Sequence, residues 1–590
     1  MNTMISRKWI NGLFIIHCSL FISVTLASCA DWDDHYEANA SVSDTQIATL
    51  WENIERNSEL SQFAALVKKS GFDQMLNASQ TFTVWAPVNG SFDYDAMAAM
   101  DKDRLLREFV ENHVARNNYI ASGSINEPIF MLNEKLMYFE GNGSYSIQDI
   151  GLGKINIGSS NGVLHLVDQF IPFKQNIYES INNEQFALDS LSNYFHSYDV
   201  KELNEAKSVK GPTLNGEITY LDSIFDENND LFQRLGSYIN REDSNYTMIM
   251  PTNEAWHRAR NTIRQYFHYV PSFEFMENTS TNADEKKVTT VNLRDTEYLT
   301  DSLTNLLLVS DLFYNNNLYD NKKLSNLQTG ERLQCDSLYA TTLTKIYSED
   351  AAALFENTRR VEKSNGVVFV TDDSLRMRTW TSWNPELRQE AESSSLLAWS
   401  ANVAPGSPTS VYVSETNQNP DVPGKVSGCR YLEALASASN ANPELDFYLN
   451  GVRSTTYNLY AVVVPANIIN ASREVKPQRM IVYLGYANEE GKNKEVRLKS
   501  PVDGGNYFYN DSSKVDTVYL GEFTFPVAYI GTGGSSQNYY PYIRIRSSVT
   551  NALDSRYDRN LRIDCLILRP KEFDEFLKEH PGYKYDDGNY

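Results

Sequence analysis

The chain has 590 residues and a formal net charge of −23, from 53 Lys and Arg against 76 Asp and Glu. Binding of DNA or of an anionic lipid surface requires clustered basic side chains, and no comparable basic run occurs, so nucleic acid is disfavoured as a partner. The length leaves room for several domains of ordinary size.

The amino terminus has the pattern of an export signal. Arg7 and Lys8 precede an apolar run, about 13–26, that is too short to span a bilayer comfortably. The run ends in Leu26-Ala27-Ser28-Cys29, which resembles the lipobox of bacterial lipoproteins. This resemblance implies that residues 1–28 are a signal peptide and that Cys29 carries lipid chains that anchor the protein in the outer membrane. The alternative is an ordinary cleavage site with a chance cysteine.

Residues 29–42 are predicted to form an acidic tether. Ala30-Asp31-Trp32-Asp33-Asp34 resembles the surface-export signal of Bacteroidota lipoproteins, which implies an anchor on the cell surface. A solvated linker is the alternative. Removal of residues 1–28 takes away two basic residues and no acid, so the net charge of −23 becomes −25. Such an acidic surface suits a soluble extracellular body.

Two helices are predicted in the region that follows. Ser43-Asp44-Thr45-Gln46 has the pattern of a capping box, in which the side chains of the first and last residues bond to backbone amides at a helix start. Residues 101–114 form a second helix candidate, with Leu105, Phe109 and His113 nearly on one face.

Two sequence signals recur in the same order along the chain. Thr83 to Phe92 pairs with Thr247 to Trp256, and Ser160 to Asp168 returns as Ser364 to Asp372. In each copy a β-rich run ends in Pro-x-Asn, and an Asn-Gly turn later leads into a second apolar run. The chain therefore contains an internal repeat.

Both copies resemble the two motifs that bracket a fasciclin domain. The first copy matches closely in Ala86-Pro87-Val88-Asn89 and in 161–172, whereas the second has Phe369 where the first has His165 and a longer spacing between motifs. The resemblance implies two α+β fasciclin domains, at 43–175 and, in a diverged and enlarged form, at 176–378.

One departure from the family concerns adhesion. Family members that mediate adhesion in animals carry a Tyr-His pair in the second predicted helix, and here the pair is Asn112-His113. Integrin-type adhesion therefore does not carry over, and His113 is predicted to be a packing histidine.

Residues 379–575 are predicted to form an all-β sandwich of two sheets. The predicted strands alternate in character and are bounded by polar turns: 457–464, 480–486, 515–525, 542–546 and 561–568. Within the last of them, the alternation from Leu561 to Cys565 predicts one buried and one wet face. The stretch 561–570 resembles the last strand of galactose-binding-like jelly rolls, and residues 576–590 are predicted to be a polar tail.

The sequence contains no recognisable catalytic, cofactor or metal motif. Its eight histidines include no His-x-x-x-His pair, and it has no Gly-x-Ser-x-Gly elbow, so zinc and serine hydrolases are disfavoured. Three cysteines, Cys335, Cys429 and Cys565, remain after Cys18 and Cys29 are set aside. Cys429 and Cys565 either pair across neighbouring strands or stay free thiols.

Tyrosines beside two glycine-rich turns are the predicted ligand-binding residues. They lie where sheet ends are expected, and exposed rings at such ends stack on sugars: Tyr507, Tyr509, Tyr539 and Tyr540. The alternative is that these rings pack on the sheet edge.

The predicted function is that of a non-enzymatic surface lipoprotein. The fasciclin domains would form a stalk for protein docking, and the terminal sandwich would bind a glycan or another extracellular ligand. The layout resembles accessory subunits of outer-membrane nutrient-uptake systems, which implies a TonB-dependent porin and its lid lipoprotein as partners. One alternative is a surface glycosidase that uses carboxylates in the sandwich. Another is an adhesin acting between cells or between cell and matrix.

Replacement of the predicted lipidated residue tests the anchor. Cys29→Ala should leave the signal uncleaved at that site and remove the product from the lipidated outer-membrane fraction, because no thiol remains to receive the lipid. Membrane fractionation with metabolic lipid labelling measures both effects, with Cys335→Ala as the control that should stay lipidated. A Cys29→Ala product that is still lipidated at the outer membrane would show that the lipobox interpretation is wrong.

Overall fold

The structure, a computed structural model, describes residues 48–182, 184–203, 205, 209–214, 216–222, 225–276, 287–532 and 540–585. The predicted signal, Cys29, the acidic tether and the capping box at Ser43 lie outside these residues. The chain divides into two compact units, the first ending at Lys174 and the second beginning at Gln175. Within the described ranges, no helix has the length and apolar character needed to cross a bilayer.

The described residues of the first unit, 48–174, form five short α-helices and eight strands. The helices are α1 Leu50–Arg56, α2 Ser61–Ser70, α3 Asp73–Leu76, α4 Tyr94–Ala99 and α5 Lys102–Leu105. The strands are β1 Phe82–Pro87, β2 Val114–Arg116, β3 Ser124–Phe130, β4 Leu136–Asn142, β5 Ser144–Ile147, β6 Ile150–Gly151, β7 Ile157–Ser159 and β8 Gly162–Val167. One sheet has the order β2-β1-β8-β7, and the other has the order β3-β4-β5-β6.

Helix α1 begins at a reciprocal cap formed by Thr49 and Glu52. The Thr49 hydroxyl accepts a bond from the Glu52 backbone N–H at 3.2 Å, and the Glu52 carboxylate accepts one from the Thr49 N–H at 2.9 Å. The first described helix thus begins at Leu50 and uses a cap other than the one predicted at Ser43.

The helix predicted at 101–114 is present, but it changes type before it ends. After α5 it continues as a π-helical turn, Leu106–Val110, and a 3₁₀ turn, Glu111–His113, and Val114 already begins β2. The His113 ring is fully buried: Nδ1 lies 2.7 Å from the Phe109 carbonyl, and Nε2 accepts the Ile171 N–H at 2.8 Å. Burial lowers the pKa of His113 to about 4, so the ring is neutral. The prediction of a packing histidine is confirmed.

The two repeated signals of the first unit meet as neighbouring parallel strands. Strand β1 carries the first signal and β8 the second, and they pair in continuous register from Phe82 opposite Gly162 to Pro87 opposite Val167. Gly162 has φ of 154°, and a Cβ there would lie 2.0 Å from the Phe82 carbonyl oxygen. Only glycine fits this close approach of two backbones.

The residue before this glycine ties the sheet to the helices. The buried Asn161 side chain accepts the Leu50 N–H at 2.8 Å and donates to the Leu76 carbonyl at 2.9 Å. One amide group therefore satisfies the start of α1 and the end of α3.

The second unit begins with a repeat region whose described residues form six α-helices and twelve strands. The helices are α6 Ile177–Ser180, α7 Asp189–His196, α8 Asp230–Leu235, α9 Asn253–Arg264, α10 Thr296–Ser310 and α11 Ser348–Phe355. The strands are β9 Asp199–Leu203, β10 Val209–Leu214, β11 Glu217–Asp222, β12 Phe225–Asn229, β13 Tyr246–Pro251, β14 Ser272–Met276, β15 Val288–Asn292, β16 Phe313–Asn315, β17 Ser337–Tyr339, β18 Lys345–Tyr347, β19 Thr358–Lys363 and β20 Gly366–Thr371.

This region repeats the central sheet of the first unit. Its order is β16-β13-β20-β19, and β13 and β20 are parallel with the register of β1 and β8. Gly366 again has no room for a Cβ, which would lie 1.9 Å from the Tyr246 carbonyl oxygen. Asn365 again accepts the first N–H of a helix, that of Ile177 at 2.9 Å, and donates to the Ile239 carbonyl. The internal repeat predicted from the sequence is confirmed at the level of topology.

The second part of this unit contains α12 Thr379–Ser382, twelve strands and α13 Lys571–Glu579. The strands are β21 Leu387–Glu390, β22 Leu397–Trp399, β23 Thr409–Tyr412, β24 Arg430–Ala434, β25 Glu444–Tyr448, β26 Thr456–Val463, β27 Arg479–Ala487, β28 Asn493–Arg497, β29 Phe508–Tyr509, β30 Asp516–Thr524, β31 Tyr542–Ser547 and β32 Leu561–Pro570. They form two six-stranded antiparallel sheets, β23-β24-β32-β26-β30 with β21 beside β32, and β22-β25-β31-β27-β28 with β29 beside β27.

Buried apolar side chains from both sheets form a shared cluster. Leu459 and Leu566 come from one sheet, and Val482 and Ile543 come from the other. All five strands predicted from the alternating pattern are present, within two residues of the predicted bounds.

The wet face predicted for β32 is absent. Arg562 and Asp564 are 3% and 1% exposed. Arg562 donates to Glu433 at 2.9 Å and to Asp558 at 2.7 Å, and the Ser427 N–H donates to Asp564 at 3.0 Å. The prediction of a wet face is wrong, because polar side chains that have partners can be buried in the interior as well as exposed to water.

A hairpin of the repeat region enters the core of the sheets. Strands β14 and β15 pair with each other, and Phe273 and Phe275 belong to the same buried cluster as the sheet residues. The Glu274 N–H also donates to the Gly491 carbonyl at 2.6 Å. The additional length of the second copy therefore includes a segment that fixes it to the sheets.

The chain after residue 575 is partly folded, and the described cysteines are free. Helix α13 extends past the predicted boundary at 575, and Tyr583 and Tyr585 pack on its Phe573, so part of the predicted polar tail belongs to the fold. Cys429 is exposed, Cys565 is buried, and both thiols are free. The two cysteines do not form the disulfide left open by the sequence.

Replacing the glycine between the motif strands tests the repeated packing. Gly162→Ala should lower the free energy of unfolding of the first unit by about 1–3 kcal/mol, because its Cβ would collide with the Phe82 carbonyl. Urea unfolding followed by the fluorescence of the buried Trp85 measures this change. Gly151→Ala is the matched control, since nothing lies within 4 Å of its Cβ position. Equal stability of the two variants would contradict the proposed role of Gly162.

Candidate functional site

Two of the predicted ligand-binding tyrosines lie together at one end of a sheet. Tyr509 in β29 pairs with Arg479 of β27 and is 41% exposed. The half-buried Tyr507 ring lies under the Arg479 guanidinium, whose carbon is 3.3 Å from the ring centroid. Arginine therefore already covers one ring of this predicted platform.

The other predicted tyrosines do not join this pair. Strand β31 pairs with β27 so that Ser547 faces Met480 and Tyr542 faces Gly485. Tyr540 precedes β31 and therefore lies at the opposite end of β27 from Tyr509, where it packs against a cluster that includes Tyr448. Tyr539 lies outside the described residues. The structure thus brings Tyr507 and Tyr509 together and separates Tyr540 from them; their role in binding stays a prediction.

A cavity of about 200 Å³ lies where the repeat region, the segment that begins at α12 and the chain from α13 onward meet. We call it the Trp380 pocket. Its wall comes from four separate stretches of the second unit and consists of aromatic rings, two carboxylates and two lysines, with few other groups: Lys345, Ile346, Tyr347, Asp350, Trp380, Thr381, Pro385, Glu386, Phe573, Tyr583, Lys584 and Tyr585.

Stacked and edge-on rings fix the aromatic wall of the pocket. The Trp380 ring stacks on Phe573 with centroids 5.0 Å apart and planes at 15°. Tyr585 meets Phe573 edge-on at 4.9 Å, and the Trp380 Nε1–H donates to the Tyr583 hydroxyl at 3.1 Å. Because Trp380, Phe573, Tyr583 and Tyr585 hold one another, this part of the wall is preformed.

Both carboxylates of the pocket are paired with arginines. Asp350 accepts from Arg378 Nε at 3.3 Å and from the Tyr583 hydroxyl. Glu386 accepts from Arg569 Nε at 2.5 Å and from Arg388 at 3.4 Å. The acids are thus neutralised in place and still offer oxygen lone pairs as acceptors.

Such a wall can bind a sugar residue. Flat rings stack on sugar C–H faces, while hydroxyls and carboxylates bond to sugar hydroxyls. Sequence reasoning missed this site because Asp350, Trp380 and Tyr583 are far apart in the chain. The one local signal was the occurrence of Tyr583 and Tyr585 in a stretch otherwise rich in polar residues.

A buried acidic cluster lies elsewhere in the sheets. Potential ligand atoms of Glu390, Asp564 and Cys565 lie within 4.8 Å of one another, the one such group among the described residues. Arg388 already contacts the Cys565 sulfur at 3.5 Å. Burial raises the pKa of Asp564 to about 8, the Ser427 N–H opposes this shift, and Glu390 adds to it.

Comparison with known proteins identifies one domain. Residues 58–172 match the model of the fasciclin domain, so the first unit contains a fasciclin domain. No curated protein sequence matches the chain.

Three solved structures are similar to parts of the chain. A FAS1 domain pair from the insect cell adhesion molecule Fasciclin I is 11% identical over 56% of this chain and 99% of that chain, with a TM-score of 0.19. Paenibacillus xanthan lyase is 14% identical over 31% of this chain and 13% of that chain, with a TM-score of 0.19. The C-terminal family 22 carbohydrate binding module of Clostridium thermocellum Xyn10B is 13% identical over 31% of this chain and 92% of that chain, with a TM-score of 0.18.

The raised pKa of Asp564 predicts a pH dependence of stability. The folded state holds the Asp564 proton up to about pH 8, whereas the unfolded chain releases it near pH 3.8. Protonated Asp564 therefore contributes its full stabilisation of the fold below pH 3.8, and this contribution is lost as the pH rises to 8. The loss is at most about 1.4 kcal/mol per pH unit. Asp564→Asn mimics the protonated acid, and its melting temperature relative to the unaltered protein should therefore rise between pH 5 and pH 8.

The exposed Asp372 provides the control for this measurement. Asp372→Asn should leave the pH profile of the melting temperature unchanged. A constant difference between Asp564→Asn and the unaltered protein from pH 5 to pH 8 would show that Asp564 is ionised in the folded state.

Proposed function

We propose that this protein is a non-enzymatic, lipid-anchored cell-surface protein that binds a glycan in the Trp380 pocket. The observation that carries this proposal is a preformed aromatic wall whose two carboxylates are already paired with arginines. Neutralised acceptors beside stacking rings suit a hydroxyl-rich ligand, because sugar hydroxyls replace water without leaving a charge unpaired. The pocket also lies at a junction between two parts of one unit, where ligand sites are common.

The remaining architecture is proposed to present this pocket. Residues 176–378 would be a second fasciclin domain, which is supported by the shared sheet order and by the matched Gly162 and Gly366. Residues 379–575 would be a galactose-binding-like jelly roll, supported by the two facing antiparallel sheets. The fasciclin domains would then be a stalk for protein docking, and the second of them also contributes Asp350 to the pocket wall.

Location and partners rest on sequence patterns. The lipobox-like residues before Cys29 and the acidic residues after it support an outer-membrane anchor that faces outward. The domain layout supports a role beside a TonB-dependent porin and its lid lipoprotein in nutrient uptake. Because fasciclin domains are associated with adhesion, docking to another cell or to matrix is the alternative use of the stalk.

A surface glycosidase is the rival class of function. The specific observation that favours it is the presence of two carboxylates, Asp350 and Glu386, in one pocket. However, guanidinium groups occupy both carboxylates, which leaves neither free to protonate a glycosidic oxygen. Product analysis of bound oligosaccharides would reveal cleavage, and cleavage lost in Asp350→Asn or Glu386→Gln would establish the enzyme.

A glycan array with the purified full-length protein tests the proposal. Trp380→Ala should weaken binding of any captured glycan by about 1.5 kcal/mol, roughly tenfold in Kd, because the central ring of the wall is lost. Calorimetry with that glycan measures Kd, and a melting curve checks the fold, since Trp380 also packs on Phe573. Tyr509→Ala is the matched control and should bind unchanged. Loss of binding in Tyr509→Ala alone would place the site at the predicted tyrosine pair.

A further inference from the structure

We infer that the Trp380 pocket selects a negatively charged sugar residue, such as a uronic acid, through Lys345 and Lys584; this inference rests on the proposed function. The two lysines differ from the other charged groups of the wall. Both wall carboxylates pair with arginine, whereas neither lysine forms a salt bridge with any described residue.

Lys345 is held beside the pocket without being neutralised. Its ammonium lies 4.5 Å from the Tyr347 ring centroid and 5.6 Å from that of Tyr339. Interactions with the Tyr347 and then the Tyr339 side chain raise the pKa of Lys345, so the group stays charged. Rings orient a cation but carry no opposite net charge, so the ammonium can still bind an anion.

Lys584 places a second positive charge on the same wall. It is exposed and lies between Tyr583 and Tyr585, both of which pack on Phe573. Its position in the chain therefore brings it next to rings that would stack on a sugar. The two lysines are the uncompensated charges of the lining.

The charge of the whole protein makes this local excess informative. A chain with a net charge of −23 repels anions in general, so two unpaired lysines in an aromatic pocket form a local exception. A cation is the less suitable occupant, because arginines already hold the acids that would bind it. A cavity of about 200 Å³ is below the usual range of roughly 300–1,000 Å³ for drug-sized ligands, which favours a single sugar residue.

Calorimetry with two probes that share one sugar backbone and differ in charge tests the inference. Tetragalacturonate should bind the full-length protein at least about tenfold more tightly than its methyl ester, and the advantage should shrink between about 50 and 500 mM salt as the charges are screened. The double variant Lys345→Gln/Lys584→Gln should bind the two probes equally. Lys425→Gln/Lys514→Gln is the matched control, because each of these lysines already pairs with a carboxylate, and it should keep the difference.

The outcomes separate this inference from the proposed function. Equal binding of the two probes, no binding of either, or a difference that survives in Lys345→Gln/Lys584→Gln would overturn the inference. Capture of neutral glycans alone on the array, with loss in Trp380→Ala, would keep the proposed function. Absence of any Trp380-dependent binding on the array would overturn both.

Discussion

The burial of Phe273 and Phe275 in the core of the two sheets is the interaction on which the second unit depends. It converts a hairpin of the repeat region into part of the sheet core, so the repeat and the sheets cannot separate without exposing both rings to water. The Trp380 pocket requires this attachment, because Asp350 belongs to the repeat region and Phe573 follows the last strand. A site shared by two regions stays preformed only if they are held in one arrangement.

The motif residues of the repeat serve the scaffold. In both copies an asparagine side chain accepts a bond from the second residue of a helix, Asn89 from Gln62 and Asn253 from Ser190. Such bonds satisfy N–H groups in the first turn of a helix, which have no partner within the helix, and this explains why they recur. The replacement of His165 by Phe369 fits the same view. Phe369 is buried and packs edge-on against Phe355. An apolar ring thus takes the place of the buried, uncharged imidazole of His165.

Charge is distributed unevenly over this acidic protein. Within the sheets, buried arginines neutralise buried acids, as Arg544 does with Asp446 at 2.6 Å and Arg562 with Glu433. At the Trp380 pocket the acids are neutralised in the same way, but the lysines of the wall form no salt bridge within the part of the chain that the structure describes. Paired charges in the interior, together with an excess of positive charge at one preformed concave surface, are the arrangement expected of a site that binds a charged ligand.

The sequence by itself determined the features that depend on neighbouring residues: the repeat, the motif strands, the five strands of the last region and the packing role of His113. Each follows from local periodicity or from a residue type that a backbone position requires, as with glycine at 162. Only the tertiary structure decided that Arg562 and Asp564 are buried, because alternation does not distinguish water from a buried partner. Only the tertiary structure shows that Tyr540 and Tyr509 lie apart. Only the tertiary structure brings Asp350, Trp380 and Tyr583 into one pocket. Contacts over such separations depend on how whole elements pack, and no local pattern records that packing.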